Sequence, residues 1–296
     1  MGDTTGRADL LLGEATMSTL LSLFSAASRA ATFLSAGVLL TLPGTVAAQG
    51  DLLVAPTRVV INGGGGAEIV LSNIGAEAAT YRIGLELRRM TPEGDLEDID
   101  PAAATPEQQA MLAMFRYAPR RISLPPNQPQ AVRISARPPA DLPDGEYRVH
   151  MSFHAIPATQ SVEAPRSASE DEGFSIKLTP IYGVTIPLIL RKGQLTGGAV
   201  LSNPAVVTEG GVTYLKLGLA RTGNRSLYGE IRVVSAGSKE PAFLVRGVAI
   251  YPEVTSRTLR LALPAQAAAL RGPVQIEYRE LPEVGGRLIT SIPATL

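Results

Sequence analysis

From Asp51 to the C-terminus the apolar positions alternate with polar ones, and Gly, Pro and Asn break the alternation at short intervals. The exception is Pro106–Met114, whose apolar spacing fits a short helix. The pattern predicts an all-β protein. Candidate strands in the first half are Leu52–Ile61, Glu68–Ser72, Thr80–Met90, Met114–Ala118, Arg121–Leu124, Ala131–Ala136, Glu146–Ile156 and Phe174–Leu190, enough for one sandwich. The second half offers Leu195–Ser202, Thr213–Ala220, Glu230–Ser235, Phe243–Ile250, Thr258–Leu263, Val274–Tyr278 and Leu288–Ile292, a second sandwich. Arg191-Lys192-Gly193 is where a charged pair and a glycine interrupt two complete sets of strands, which puts the hinge there and the domains at 49–191 and 192–296.

One strand is unusually long. Phe174, Ile176, Leu178, Pro180, Tyr182, Val184, Ile186, Leu188 and Leu190 hold a single parity, and at roughly 3.3 Å per residue the segment would run about 55 Å, more than one small sandwich covers. Pro180 and Pro187 cannot donate to a ladder and point to an edge strand or a bend. An apolar edge invites another chain to pair with it by strand addition. The other reading is a strand that continues into the domain linker with its apolar side buried.

A chain of 296 residues suits two cores, and a hydrophobic share of 45% with 18% charged residues excludes a disordered chain. Lys+Arg and Asp+Glu both total 27, so no nucleic-acid partner is expected from bulk attraction. The N-terminal 48 residues read as a secretory signal. Arg29 precedes the apolar run Ala30–Leu42, and Thr45-Val46-Ala47-Ala48 offers a cleavage site after Ala48. The run is shorter than the roughly 20 residues of a membrane span, so it is expected to be removed, with no stable membrane insertion. Translation starting at Met17 would leave the same mature chain. The absence of cysteine fits an exported bacterial protein that folds on its core alone, and it removes thiolate chemistry.

Little else carries chemistry. His150 and His154 would form a zinc pair on a helix, but on a strand they stand about 13 Å apart, too far to share a metal. Asn62 and Gly63–Gly66 lack the Lys-Ser/Thr and the helix of a phosphate-binding loop and read as a turn. Glu93–Asp100 is carboxylate-rich but interleaved with Gly and Pro, and is expected to be a solvated loop. Glu163–Gly173 is polar and acidic and is expected to be a mobile loop. There is no G-x-S-x-G elbow, and no catalytic residue, metal or cofactor is assigned.

Five segments, in order along the chain, are VAPTRVVI (Val54–Ile61), ATYRIGLELRRMTPEG (Ala79–Gly94), FRYAPRRISLPPNQPQAVRI (Phe115–Ile134), PADLPDGEYRVHMSFHAIP (Pro139–Pro157) and SIKLTPIYGVTIPLILRKG (Ser175–Gly193). Together they resemble the periplasmic chaperones of chaperone-usher pili, and more narrowly the archaic branch associated with spore-coat-protein-U-like subunits. The resemblance covers nearly all of the first domain; from Gln194 onward it extends only to position, size and β character. It implies two immunoglobulin-like β-sandwich domains in a boomerang arrangement with a cleft between them. The implied function is non-enzymatic, without cofactor or ATP: in the periplasm the chain binds, folds and caps pilin subunits by donor-strand complementation and delivers them to an outer-membrane usher. Self-association of the free chain would be another way to cover its donor edge.

By this resemblance Ile176 and Leu178 are donor residues, flanked by Phe174 and Pro180, with Tyr182 next on the same parity. The resemblance also implies a two-cation anchor for the subunit's C-terminal carboxylate. Its arginine falls on Arg58, whereas its lysine falls at about Thr185, so that half is missing. Arg148, on the outward parity of the neighbouring strand, can supply the second guanidinium, and the same position suits a solvated edge residue. Lys177 and Arg191 are expected to stay solvated. The competing class is a secreted structural or adhesive tandem immunoglobulin-like module. A sugar-binding version of it would use aromatic platforms, and the chain has no Trp, 6 Phe and 8 Tyr. A secreted hydrolase would need an acid pair or metal site that the sequence does not place.

Overall fold

The computed structural model describes residues 52–157 and 182–296, all within one compact unit. The signal segment, the Glu163–Gly173 loop, Lys177 and the donor residues Phe174, Ile176, Leu178 and Pro180 lie outside the described residues.

The first half contains β1 (Leu52–Ala55), β2 (Val59–Asn62), β3 (Gly65–Asn73), β4 (Ala79–Glu86), β5 (Arg88–Met90), β6 (Leu96–Asp98), α1 (Pro106–Met114), β7 (Phe115–Ala118), β8 (Arg121–Leu124), β9 (Gln130–Ala136), β10 (Gly145–Ile156) and β11 (Gly183–Lys192). Two sheets, β1-β3-β9-β7 and β2-β11-β10-β4-β8, close on a shared core that includes Ile69, Leu71, Tyr81, Phe153 and Leu188. The second half contains β12 (Gly197–Glu209), β13 (Val212–Gly223), β14 (Leu227–Ser235), β15 (Phe243–Ile250), β16 (Ser256–Ala262), α2 (Ala265–Ala268), β17 (Pro273–Glu280) and β18 (Leu288–Thr295). Its sheets, β12-β13-β16 and β15-β14-β17-β18, enclose a second core around Leu215, Leu217, Ile231, Ile276 and Tyr278. The fold is all-β, with two immunoglobulin-like sandwiches.

Local chemistry accounts for the elements that differ from expectation. Leu52–Ile61 is two strands, because Pro56 has no N–H to give a ladder and the chain changes sheet there. β1 pairs antiparallel with β3, whereas β2 pairs parallel with β11. The stretch after Met90 is solvated as expected but is a strand and not a loop: it folds back as the β5–β6 hairpin, with its carboxylates facing arginines across the strands, Asp98 meeting Arg88 at 2.7 Å and Glu97 meeting Arg89 at 2.9 Å. α1 matches the predicted helix. Thr105 caps it by accepting from the Gln108 amide at 3.3 Å, while the Gln108 side chain accepts from the Thr105 amide at 2.9 Å. Gly63, Gly64 and Gly65 turn the chain between β2 and β3 with φ of 70°, 109° and 124°, the left-handed region that glycine enters without penalty.

Two first-half side chains belong to the second core. Met90, at the end of β5, and Ile189, on β11, are both buried in it. β11 is therefore apolar on both faces: Ile186, Leu188 and Leu190 point into the first core and Ile189 points the other way. Gly193 follows β11 with φ 77°, and a Cβ there would lie 1.9 Å from the Asp144 carboxyl carbon.

Candidate functional site

The site is built on the outward face of the sheet that holds β2, β11, β10 and β4. In β2, Val59 and Ile61 are buried in the first core, so the alternation sends Arg58 and Val60 to the opposite face. The parallel register sets Val59 against Leu188, which puts Arg58 level with Pro187. The neighbouring antiparallel pair matches Pro187 with His150, Thr185 with Ser152 and Ile189 with Arg148. Arg58, Thr185, Arg148 and His150 consequently share one face.

Arg58 is half-buried and reaches the second sandwich. Its Nη1 donates to the Tyr251 hydroxyl at 3.0 Å and its Nη2 to the Ser226 hydroxyl at 2.9 Å. Its Cζ lies 4.7 Å from the centre of the Tyr228 ring. Both hydrogen-bond partners are neutral. The carboxylates nearby go elsewhere, Glu253 to Arg148 and Glu146 to Arg191, and no ion pair joins Arg58 to any carboxylate among the described residues. A cavity of about 840 Å³ opens beside this guanidinium, with Pro187, Met90, Tyr228, Tyr251 and Arg257 in its wall.

Arg148 is not the solvated edge residue that its position allowed. It is 9% exposed, with its Cζ 3.5 Å over the centre of the Tyr251 ring, and its Nη2 donates to the Arg88 carbonyl at 3.0 Å and pairs with Glu253. Its Nη1 is buried without a partner. Arg58 and Arg148 thus meet at one tyrosine, but the charge of Arg148 is already matched. Arg191 also departs from expectation: its Nε donates at 2.9 Å to Glu146, whose side chain is fully buried and also accepts from the Ser226 amide at 3.1 Å. A buried carboxylate needs such partners, and this one draws Arg191 out of solvent.

The two histidines differ in burial, and both have Glu86 as a neighbour. His150 is 1% exposed with neither ring nitrogen bonded, and its pKa is pushed down to about 3, mainly by burial and further by Arg148, Arg88 and Arg58, against the opposing pull of Glu86. His154 is exposed, its Nε2 2.9 Å from a Glu86 oxygen. Burial alone would raise the Glu86 carboxyl, but hydrogen bonds from Ser152 and His154 and the charge of Arg88 bring it below its ordinary value. Among the described residues no group of three or more His, Asp or Glu could hold a metal, and no helix is long and apolar enough to cross a membrane.

Of the expected donor residues only Tyr182 is described. It is 48% exposed and its carbonyl accepts from the Ala155 amide at 3.0 Å, extending the β10–β11 pairing by one step. Along the even-numbered face of β11 burial is complete at Leu190 and Leu188, 2% of Ile186 is exposed, and Tyr182 is half in solvent. That face leaves the first core at Tyr182. Sequence reasoning missed Ser226, Tyr228, Tyr251 and Glu253, which come from the least recognisable part of the chain and lie roughly 170 to 195 positions from Arg58.

No family model and no curated protein matches the chain. Solved structures do. The chain is similar to the E. coli chaperone DraB at 19% identity and a TM-score of 0.42, over 83% of this chain and 98% of that one. A chain from the complex of Salmonella enterica SafA pilin with the SafB chaperone is 18% identical with a TM-score of 0.43, covering 83% and 97%. One from the CsuC–CsuE chaperone–tip adhesion subunit pre-assembly complex of the archaic chaperone-usher Csu pili of Acinetobacter baumannii is 11% identical with a TM-score of 0.41, covering 82% and 97%.

Proposed function

We propose that the chain is a periplasmic chaperone that binds, folds and caps pilin subunits by donor-strand complementation and passes them to an outer-membrane usher. The observation that carries this reading is Arg58, a guanidinium with no carboxylate partner among the described residues, held by two neutral hydroxyls beside the parallel pair of β2 and β11. Such a group can take a carboxylate from another chain in two parallel hydrogen bonds. It stands on the route that a strand leaving the first core past Tyr182 would share with a partner. The even parity of that strand continues in the sequence through Pro180, Leu178, Ile176 and Phe174, which supply apolar side chains to a partner's open core. Thr185 holds the place of the missing lysine, so Arg58 is the principal anchor, and Arg148 contributes through the ring it shares with Arg58.

The test is to express the tagged full chain in its native host and identify by mass and stoichiometry whatever leaves the periplasm with it. A one-to-one complex with a small β-rich exported protein is expected. Leu178→Glu is expected to lose it, since each apolar side chain that a partner buries adds about 1.5–3 kcal/mol and a carboxylate adds none. The thermal unfolding of that variant should equal that of the parent. A chain that emerges alone from cells making such subunits, or a variant that unfolds, would refute the proposal.

A further inference from the structure

We infer that Tyr251 is a positioning residue for Arg58, held in place by Arg148 and Glu253, so that the first sandwich's cation is aimed by the second sandwich. The inference rests on the reading of Arg58 as a carboxylate anchor. A free arginine at the start of an edge strand would sample many rotamers, and capturing a carboxylate would then require ordering it. Here the ordering is already done. The Tyr251 hydroxyl accepts from one Nη at 3.0 Å and the Ser226 hydroxyl from the other at 2.9 Å, and neither removes the charge.

Tyr251 is itself fixed. It is buried, and the Arg148 guanidinium lies over its ring at 3.5 Å. Arg148 is in turn held by the Arg88 carbonyl and by Glu253, two residues beyond Tyr251. The same Glu253 oxygen accepts from the Met90 amide at 2.8 Å, and the Met90 side chain is buried in the second core. The β5–β6 hairpin, whose second strand falls in the stretch the sequence pattern reads as a solvated loop, is therefore one of the first sandwich's holds on the second, beside Ile189 and Glu146. Its end is tied through Glu253 and Arg148 to the ring that aims Arg58. Carboxylate capture on this reading requires the two sandwiches to be docked.

Tyr251→Phe keeps the ring under Arg148 and deletes the acceptor. In the complex of the full chain with its co-purified subunit, this substitution is expected to speed dissociation roughly tenfold, because holding the carboxylate then also requires ordering the Arg58 side chain. The melting temperature of the free chain should fall by no more than a few degrees, the cost of one part-buried hydrogen bond between the sandwiches. In an Arg58→Ala background the same substitution is expected to change nothing further. In the free chain, the Arg58 side-chain nitrogens should give separate NMR signals, as hindered rotation requires, and merge in Tyr251→Phe. Merged signals in the parent, or an equal effect of Tyr251→Phe with and without Arg58, would overturn the inference. If Arg58→Ala speeds release and Tyr251→Phe does not, positioning fails while the anchor stands. If Arg58→Ala leaves release untouched, the anchor falls and the inference with it.

Discussion

His150 makes the first sandwich sensitive to acid, by an amount that its surroundings set. The ring is almost wholly buried, neither nitrogen has a partner, and the charged groups around it are Arg148 on its own strand, Arg88 on β5, Arg58 before β2 and one opposing carboxylate, Glu86 on β4. Burial and these cations keep it neutral down to about pH 3, from an ordinary value of 6.5. In the unfolded chain the ring takes up its proton near 6.5. Acid therefore favours the unfolded state, beginning near pH 6.5 and ending near pH 3. Linkage over that window gives a loss of about 2 kcal/mol by pH 5 and about 5 kcal/mol in full. Urea unfolding followed by far-UV circular dichroism at pH 7 and pH 5 measures the first of these. His150→Leu is the perturbation. Because the ring nitrogens have no bonds to lose, the leucine variant should be at least as stable as the parent at pH 7, and about 2 kcal/mol of the parent's loss at pH 5 should disappear. A folded-state His150 titrating above pH 6 by NMR, or a leucine variant with the parent's full acid loss, would refute the reasoning.

Two further outcomes follow from the contacts between the sandwiches and from the glycine that ends β11. Met90→Ala empties a buried position in the second core and should cost about 2–4 kcal/mol by chemical denaturation, with faster amide exchange across β5 and β6; exchange unchanged there would show that the side chain does not fasten the hairpin. Gly193→Ala forces a Cβ into a left-handed position and onto Asp144, and should destabilise by about 1–3 kcal/mol. Adding Asp144→Ala should recover only part of the melting temperature, because the backbone penalty remains, and full recovery would count against that assignment.

Alternation was a reliable guide wherever a strand has one face in a core and turn residues at both ends. Arg121–Leu124 and Phe243–Ile250 have the bounds their patterns imply, and α1 carries its own start signal in Thr105, Pro106 and Gln108. The break in Leu52–Ile61 left a trace as well: Val54 is buried on even parity and Val59 and Ile61 on odd, with Pro56 between them, which is what a strand that changes sheet must look like. The β5–β6 hairpin was less visible: Glu97 and Asp98 are solvated, as their stretch of sequence implies, but the pattern does not show the arginines that stand opposite them across the turn. Glu146 and Arg191 give no local hint either. Each looks like a surface charge, and each leaves solvent because the other and Ser226 are there. Arg58 was found through resemblance, but its partners could not be, since no local period or propensity links residues so far apart.

The distribution of charge argues for what the site does. If Arg58 served only to join the two sandwiches, a carboxylate would be its natural partner, and Glu253 and Glu146 are both close at hand. Glu253 is instead matched with Arg148 and Glu146 with Arg191, while Arg58 receives two hydroxyls. A hydroxyl holds a guanidinium in place and leaves its charge uncancelled; a carboxylate would hold it more tightly and cancel it. Fixing a cation without neutralising it keeps the interaction strength for an anion that comes from outside the chain. The same division of labour separates the two arginines on Tyr251: Arg148 over its ring is buried and paired, and Arg58 at its hydroxyl is half-exposed and unpaired. One tyrosine thus divides the face into an arginine that is paired between the sandwiches and an arginine whose charge is left uncancelled, as the proposed carboxylate anchor requires.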